Sequence, residues 1–329
     1  MEITDSAAWD EYVTNSPFGH PLQLWGWGEV KSGNGWSAHR LALVGRDSWV
    51  GAVQILLWRI PKTGRVVAYV PRGPVVDPAG SGAGMLLNEV VVWAKARKAI
   101  YVRIEPAWTS AKLGPGWIPA KHHVQMRETY TIDLKKDVND LMAAMGRKHR
   151  QYIRQAERNG VDVRLETVGD LDAVYDIYQQ TAQRAGFALH AKAYYQKVFD
   201  KLHGNNALYV AYVEERPAAF LWLAMTSTTA YELYGGMNES AAKAHANYLL
   251  KWQAISDMKA AGQAIYDFNG RVSEGVSTFK AGFGPDETDY IGTYDFPISR
   301  VGYQIWEKLW PLAKPVGRRV LGLLRGGRG

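Results

Sequence analysis

The chain has 329 residues, which is long for a single hydrophobic core, so we expect two domains. Hydrophobic residues make up 47% and charged residues 22%, as in ordinary globular proteins, and the formal net charge is +7. Because cysteine is absent, disulfides, thiolate zinc sites and cysteine nucleophiles are excluded, which fits a reducing cytosol.

The first half of the chain predicts three consecutive strands, a helix and a fourth strand. Its opening residues are polar and acidic, unlike a signal peptide. Apolar runs such as 50–58 fall far short of the roughly 20 residues that a membrane-spanning helix needs. Two helices, 6–14 and 25–31, come first. The strands follow at 37–44, 49–60, 65–70 and 99–104, with the helix at about 84–98.

The second half repeats this order of elements. Helices at 138–159 and 171–185 precede strands at 207–213, 218–225 and 229–234, and a helix at about 244–261 leads to a strand at 264–268. Val70 corresponds to Tyr234 and Ile104 to Phe268, with an offset of 164 residues in both cases. Strands that feed a helix and then a strand predict a mixed sheet covered by helices.

We therefore predict an α/β protein with two units of the acyltransferase type, each a mixed sheet flanked by helices. The first domain spans 1–128 and is completed by 290–329. The second domain spans 129–289, and the boundary between them lies near 126–131.

A lone lysine after the last predicted strand is a candidate catalytic residue. Lys280 follows Phe279 on what we interpret as a glycine-rich loop past the end of the strand. An ammonium group beside an aromatic ring in such a place can hold developing negative charge. The alternative is a solvated loop lysine.

Two basic segments are candidates for binding polyanions. The helix at 138–159 carries Arg147, Lys148, Arg150, Arg154 and Arg158, four of them on one face, which can follow phosphates or be a solvated face. From residue 300 onward, seven basic residues and one acidic residue give a net charge of +6 among aromatic and aliphatic residues. This tail fits a membrane surface, a nucleic acid, or packing on the protein body.

Other motifs give little support for a cofactor. The glycine-rich run 80–84 lacks the ending of a P-loop, so we interpret it as a flexible connection. The eight histidines show no metal-ligand spacing, and no Gly-x-Ser-x-Gly elbow is present. We expect neither a metal nor a cofactor.

Several segments, in order along nearly the whole chain, resemble the Fem family of peptidoglycan aminoacyltransferases. They are Leu-Trp-Gly-Trp-Gly-Glu-Val-Lys at 24–31, Tyr-Val-Pro-Arg-Gly-Pro at 69–74, Arg-Ile-Glu-Pro at 103–106, the basic run 147–161, Tyr-Gly-Gly at 234–236, Tyr-Asp-Phe-Asn-Gly at 266–270 and Phe-Lys-Ala-Gly-Phe-Gly at 279–284.

The resemblance implies two acetyltransferase-like (GNAT-type) domains, in the compact form without a coiled-coil insertion. It also implies transfer of an amino acid from aminoacyl-tRNA to the free amine of a peptidoglycan precursor's stem peptide, which is UDP-linked or lipid-linked. The protein would then be cytoplasmic, at the inner face of the membrane if its basic tail makes peripheral contact.

The resemblance assigns roles to individual residues. Lys280 would stabilise the developing negative charge or bind the donor's terminal phosphate. The backbone carbonyl of Phe279 would interact with the attacking amine. The basic helix would bind tRNA. The precursor would be bound by Lys31, Arg72, Glu105, His190, Tyr194 and Tyr234. His190 stands where arginine is expected, and Glu105 where aspartate is more usual, so these departures bear on precursor specificity.

Three other functions stay open. The first is an enzyme of natural-product biosynthesis that uses aminoacyl-tRNA and a different peptide amine. The second is a CoA-dependent N-acyltransferase, although its Arg/Gln-x-x-Gly-x-Gly/Ala motif is missing from both expected places. The third is a non-enzymatic RNA-binding module.

Overall fold

Two mixed β-sheets covered by helices make up the fold, which is seen in a computed structural model that describes residues 1–33, 35–46, 48–166 and 171–308. The first unit contains α1 (Ser6–Asn15), a 3-10 helix (Pro21–Gln23), α2 (Trp25–Lys31), β1 (Trp36–Val44), β2 (Trp49–Ile60), β3 (Arg65–Arg72), α3 (Ser81–Ala96), β4 (Ala99–Pro106) and β5 (Ile118–Pro119).

The second unit begins with β6 (Glu128–Asp133), α4 (Val138–Ala144), α5 (Arg147–Arg158), β7 (Asp162–Glu166), α6 (Asp172–Ala185) and α7 (Lys192–Lys201). It continues with β8 (Asn206–Val213), β9 (Arg216–Met225), β10 (Thr229–Met237), α8 (Glu239–Ala244), α9 (Ala246–Ala260), β11 (Ile265–Asp267), α10 (Glu274–Ala281) and β12 (Asp286–Asp289). After β13 (Tyr294–Pro297), residues 300–308 are helical.

The two sheets share the predicted pattern of strands. Their strand orders are β1-β2-β3-β4-β13-β5 and β12-β6-β11-β10-β9-β8-β7. Within each sheet a three-stranded antiparallel meander is followed by a helix and then a parallel strand, so β3 pairs parallel with β4 and β10 with β11. The predicted α/β architecture, repeated twice, is confirmed.

The last strand lies in the first sheet although it comes last in the chain. Strand β13 pairs antiparallel with β4, while β12 pairs with β6 in the second sheet. Arg103 of β4 makes a bidentate ion pair with the buried Asp295 of β13, with both nitrogen–oxygen distances 2.7 Å. The domain limits at 128 and 290 stay predictions.

The prediction of one continuous helix over 138–159 is wrong, because this segment forms two helices, α4 and α5. Met145 and Gly146 have extended ψ angles of 148° and 142°. The Gly146 amide donates to the carbonyl of Gly282 at 2.9 Å, so a contact with α10's end replaces a helical hydrogen bond. The helix predicted at about 244–261 is observed as α9, and a further short helix, α8, precedes it, separated by His245 in a left-handed conformation with φ 59°.

Two segments that we interpreted as loops are helical. Lys280 lies in the last turn of α10 instead of on a loop, and the glycine-rich run 80–84 is the N-cap and first turn of α3 instead of a flexible connection. Both segments contain glycine and lack a helical pattern of apolar residues. The helical conformation is therefore favoured by packing in the folded chain and not by the local sequence. Most of the basic tail, for which we predicted contact with a membrane, a nucleic acid or the protein body, lies at 309–329, outside the described residues.

No helix in the described ranges combines the length and the apolar character that are needed to cross a membrane.

Candidate functional site

The ammonium group of Lys280 is buried and is held by backbone carbonyls. Its side chain is 7% exposed, and Nζ donates to the carbonyl oxygens of Phe268 at 2.7 Å and Gly270 at 2.8 Å. Within the part of the chain that the structure describes, no carboxylate forms an ion pair with Lys280. The charge is therefore oriented by neutral acceptors and is not cancelled by an anion.

The loop that supplies these carbonyls is fixed by a buried aspartate. Asp267, at the end of β11, accepts hydrogen bonds from the hydroxyl of Thr129 at 2.6 Å, the amide of Asn269 at 2.6 Å and the hydroxyl of Tyr290 at 2.6 Å. The Asn269 side chain donates to the backbone carbonyl of Glu232 at 2.8 Å. The carbonyl cradle of Lys280 is thus rigidly attached to β6, β10 and β11.

A second buried lysine lies close to Lys280. Lys251 of α9 forms an ion pair with the carboxylate of Glu232 on β10, and Tyr266 donates its hydroxyl to the same carboxylate oxygen at 2.8 Å. Burial lowers the pKa of Lys251 from its ordinary value, Glu232 opposes that shift, and the charge of Lys280 adds to it.

His149 of α5 contacts the carbonyl that precedes Lys280. Its Nε2 donates to the backbone oxygen of Phe279 at 2.9 Å, and its ring packs edge-on against Phe283 and Tyr248. Burial lowers the pKa of His149, whereas the bond to Phe279 raises it. The basic helix therefore touches the surroundings of Lys280 directly.

A second group of predicted residues meets where α2 packs on α7. Nζ of Lys31 donates to the hydroxyl of Tyr194 at 2.6 Å and lies 4.6 Å from the ring centroid of Trp27. His190 stacks on Tyr194 with ring centroids 4.0 Å apart, and the Tyr194 hydroxyl is hydrogen-bonded to that of Tyr234. These four predicted precursor-binding residues, Lys31, His190, Tyr194 and Tyr234, are brought together.

Burial sets the charge states in this second group. Desolvation lowers the pKa of Lys31 to about 8 and raises that of Tyr194 to about 12. The pKa of His190 is lowered by burial and, to a smaller extent, by the charge of Lys31. At neutral pH this cluster therefore presents one cation, Lys31, among neutral aromatic groups.

Arg72 and Glu105 are buried and make internal contacts. The guanidinium of Arg72 donates to the carbonyl of Met126 at 2.9 Å and lies 4.6 Å from the ring centroid of Tyr290. Glu105 accepts hydrogen bonds from four donors at 2.5 to 3.1 Å, which are the Tyr69 and Thr293 hydroxyls and the amides of Val124 and Gln125. Direct contact of either residue with a substrate stays a prediction.

The basic helix α5 divides into one internal arginine and several exposed cations. Arg150 donates to the carbonyls of Ala143 at 2.9 Å and of Met145, and so caps the C-terminus of α4. Arg147, Lys148, Arg154 and Arg158 are exposed and form no ion pair with any residue in the described ranges. Their binding of tRNA stays a prediction.

Sequence reasoning missed Glu232, Lys251, Asp267 and His149 as members of the site. The available signal was a charged residue inside an apolar pattern. Glu232 lies within a predicted strand, and Lys251 follows two leucines in a predicted helix. A charge at a core position needs a buried partner, and the two residues supply each other. The described residues contain no cluster of His, Asp or Glu that could hold a metal ion.

Comparison with known proteins identifies the family of the chain. A model of the FemAB family matches residues 4–116, 117–217 and 214–309. A lipid II:glycine glycyltransferase of Staphylococcus aureus (strain MRSA252) is 30% identical over 220 residues, which cover 62% of this chain and 52% of that protein. The chain thus spans about half the length of the curated relatives it matches.

Solved structures show the same fold. The crystal structure of FemX superimposes with a TM-score of 0.84 at 21% identity, covering 93% of this chain and 99% of FemX. A tandem GNAT protein from the clavulanic acid biosynthesis pathway gives a TM-score of 0.53 at 13% identity, covering 88% and 94%. The predicted acetyltransferase-like fold is confirmed. Because the family model matches nearly the whole length of this chain, the chain belongs to the FemAB family.

Proposed function

We propose that the protein is an aminoacyltransferase, which moves an amino acid from aminoacyl-tRNA to the free amine of a peptidoglycan precursor's stem peptide. The observation that carries this proposal is the buried Lys280 ammonium, which two carbonyls orient and no described carboxylate neutralises. Family membership supports it, as do relatives named lipid II:glycine glycyltransferase.

The chemistry needs charge stabilisation and positioning more than a cofactor. The amine nitrogen forms a bond to the ester carbonyl carbon, and the bond from this carbon to the tRNA ribose oxygen breaks. The proton lost by the amine ends on the ribose oxygen. Lys280 would stabilise the tetrahedral oxyanion or the terminal phosphate of the donor, because a preorganised cation in a dry site acts most strongly on developing charge.

Phe279 and His149 would position the nucleophile. The Phe279 carbonyl precedes Lys280 in α10 and is held by His149 at 2.9 Å. A carbonyl oxygen has two lone pairs, so it can accept a second hydrogen bond from the attacking amine.

The two substrates would reach this centre from different elements. Lys31, His190, Tyr194 and Tyr234 form the cation-and-aromatic cluster that would bind the phosphates of the precursor. The exposed cations of α5 would bind the tRNA backbone, since the same helix reaches Phe279 through His149. A lipid-linked acceptor would place the reaction at the inner face of the membrane.

The proposal is tested by incubating the protein with a mixed pool of radiolabelled aminoacyl-tRNA and either lipid II or the UDP-linked precursor. We expect label in the precursor and release of uncharged tRNA. Absence of product from every combination would overturn the proposal. Labelling of an unrelated peptide amine alone would favour the natural-product alternative, and transfer from acyl-CoA alone would favour the CoA-dependent one.

A further inference from the structure

We propose that Lys251 is a positioning residue of the transfer site, which keeps the carboxylate of Glu232 from pairing with Lys280. The inference rests on the proposed function in so far as Lys280 is the group that stabilises charge. Lys251 itself is buried and its ammonium is paired with Glu232, so we assign it no direct contact with a substrate.

The three charged groups share one buried region. Lys251 is 4% exposed, Glu232 is 8% exposed and Lys280 is 7% exposed. Nζ of Lys251 lies 5.1 Å from the ring centroid of Phe268 and 5.6 Å from that of Phe279. Phe279 precedes Lys280 in the sequence, and the backbone carbonyl of Phe268 accepts a hydrogen bond from Lys280. The two lysines are therefore neighbours.

The hydrogen bonds are divided so that the two lysines have different partners. One oxygen of Glu232 accepts from both Lys251 and Tyr266. Lys280 donates to peptide carbonyls only, as far as the described residues show. Of the two buried carboxylates near Lys280, Glu232 forms an ion pair with Lys251, and Asp267 accepts hydrogen bonds from Thr129, Asn269 and Tyr290. Among the described residues Lys280 is thereby left without an ion-pair partner, although its ammonium is held by the loop of the candidate site.

A purely stabilising role explains this arrangement poorly. Replacing both members of a buried ion pair by neutral residues often costs little stability, whereas removing one member leaves an unpaired buried charge. In Lys251→Met, the carboxylate of Glu232 would lack its cation, and Lys280, whose charge already acts on Lys251, is a cation of the same buried region. An ion pair between them would draw the ammonium from its carbonyls and cancel its charge.

The test compares Lys251→Met with the double variant Lys251→Met/Glu232→Gln. We expect kcat to fall about tenfold or more in the single variant and to return to within about threefold of the unmodified protein in the double variant, as for two residues coupled in one network. The matched control is Lys243→Met/Glu239→Gln, which removes an exposed pair on α8 at 2.8 Å and should change neither kcat nor KM. A double variant no more active than the single one would overturn the inference.

A second readout needs no activity. The proton-coupled nitrogen-15 signal of the Lys280 ammonium, assigned with Lys280→Met, should shift in Lys251→Met and return in the double variant. An unchanged signal in Lys251→Met would also overturn the inference. If the unmodified protein transfers no amino acid while the signal behaves as expected, the proposed function fails and the positioning of Lys280 by Lys251 stands.

Discussion

At the proposed site, the buried Lys280 and the half-buried Lys31 have different electrostatic surroundings. Lys280 is held by carbonyl oxygens at the C-terminal end of a short helix, where the helix dipole also favours a cation. Lys31 is held by a phenol hydroxyl and lies against aromatic rings, which stabilise its charge less than carbonyls oriented toward it. The two residues should therefore respond differently to substitution and to pH.

Substitution of Lys280 by methionine should affect turnover more than binding. Methionine keeps most of the side-chain volume but removes the charge, so we expect kcat to fall by about a hundredfold or more. The dissociation constant for the precursor should change little, because the Lys31 cluster is intact. Steady-state kinetics and calorimetry measure the two quantities. Lys243→Met, an exposed lysine on α8, serves as control, and equal activity of the Lys280 variant would make Lys280 a structural residue.

Precursor binding should weaken as the pH rises through about 8, the value to which burial lowers the pKa of Lys31. Below that pH Lys31 is an ammonium that attracts the precursor phosphates, and above it the side chain is neutral. The pKa of His190 is lowered from 6.5, so His190 is already neutral in this range. Calorimetric titration of the UDP-linked precursor across this pH range measures the effect.

Lys31→Met is the matching variant for this titration. It should bind the precursor about tenfold or more weakly at neutral pH, because methionine cannot donate a charge-assisted hydrogen bond to a phosphate, and its affinity should no longer depend on pH near 8. A variant that kept the same pH dependence would assign the titration to another group.

At the scale of single elements, the three meander strands of each sheet and the parallel strand after them were predicted, whereas β5, β6, β7, β12 and β13 and the helices α7, α8 and α10 were not. Strand β2 was predicted with its observed limits, and β1, β4 and β8 within a few residues, because apolar strands between turn residues give a strong local signal. The break between α4 and α5 depends on a hydrogen bond from Gly146 to Gly282, which are far apart in sequence. No local pattern encodes such a contact.

The candidate site was predictable as a set of separate motifs, whereas its connections were not. Lys280 and the Lys31 cluster were named from the sequence through a family resemblance. The ion pair of Lys251 with Glu232 joins α9 to β10, and the bond of His149 to Phe279 joins α5 to α10. These pairings depend on how the elements pack, so a single sequence shows only that buried charges lack a local partner.

The exposed cations of α5 should contribute to tRNA affinity by neutralising phosphates. We expect Arg154→Gln/Arg158→Gln to weaken tRNA binding and to reduce the slope of log affinity against log salt by about 0.7 to 0.9 for each phosphate that is no longer neutralised. Fluorescence titrations at several salt concentrations measure the slope. Arg216→Gln, an exposed arginine at the start of β9, is the control and should leave the slope unchanged.

Arg150 lies on the same helix but should behave differently. Because its guanidinium caps the carbonyls at the end of α4, Arg150→Gln should lower the free energy of unfolding by about 1 to 3 kcal/mol. A change in salt slope with no loss of stability would instead mean that Arg150 contacts phosphate.

At the scale of the whole molecule, the proposed precursor cluster depends on how closely the two units approach. Lys31 belongs to α2 of the first unit and Tyr194 to α7 of the second, so their 2.6 Å hydrogen bond crosses between the units. The exposed ion pair of Glu29 with Lys201, at 2.8 Å, joins the same two helices and contributes little by itself. The close approach of the helix backbones is therefore the principal determinant.

That approach requires glycine at position 26. A Cβ atom on Gly26 would lie 1.7 Å from the backbone carbonyl oxygen of Lys201, so Gly26→Ala must push α2 away from α7. We expect the free energy of unfolding to fall by about 2 kcal/mol or more, as for overpacking at a rigid contact. The Lys31–Tyr194 hydrogen bond should lengthen, and precursor affinity should fall with it.

Gly84→Ala is the matched control for the Gly26 variant. Gly84 also lies in a helix, α3, but beyond its own helix no atom of the described residues lies within 4 Å of a Cβ built there. Alanine has the higher helix propensity, so this variant should be about 0.5 to 1 kcal/mol more stable and should bind the precursor normally. Denaturant unfolding and calorimetry on both variants separate the two effects. Unchanged precursor affinity in a destabilised Gly26→Ala protein would show that the cluster forms without close contact of α2 and α7, and the proposed precursor site would then belong to the second unit alone.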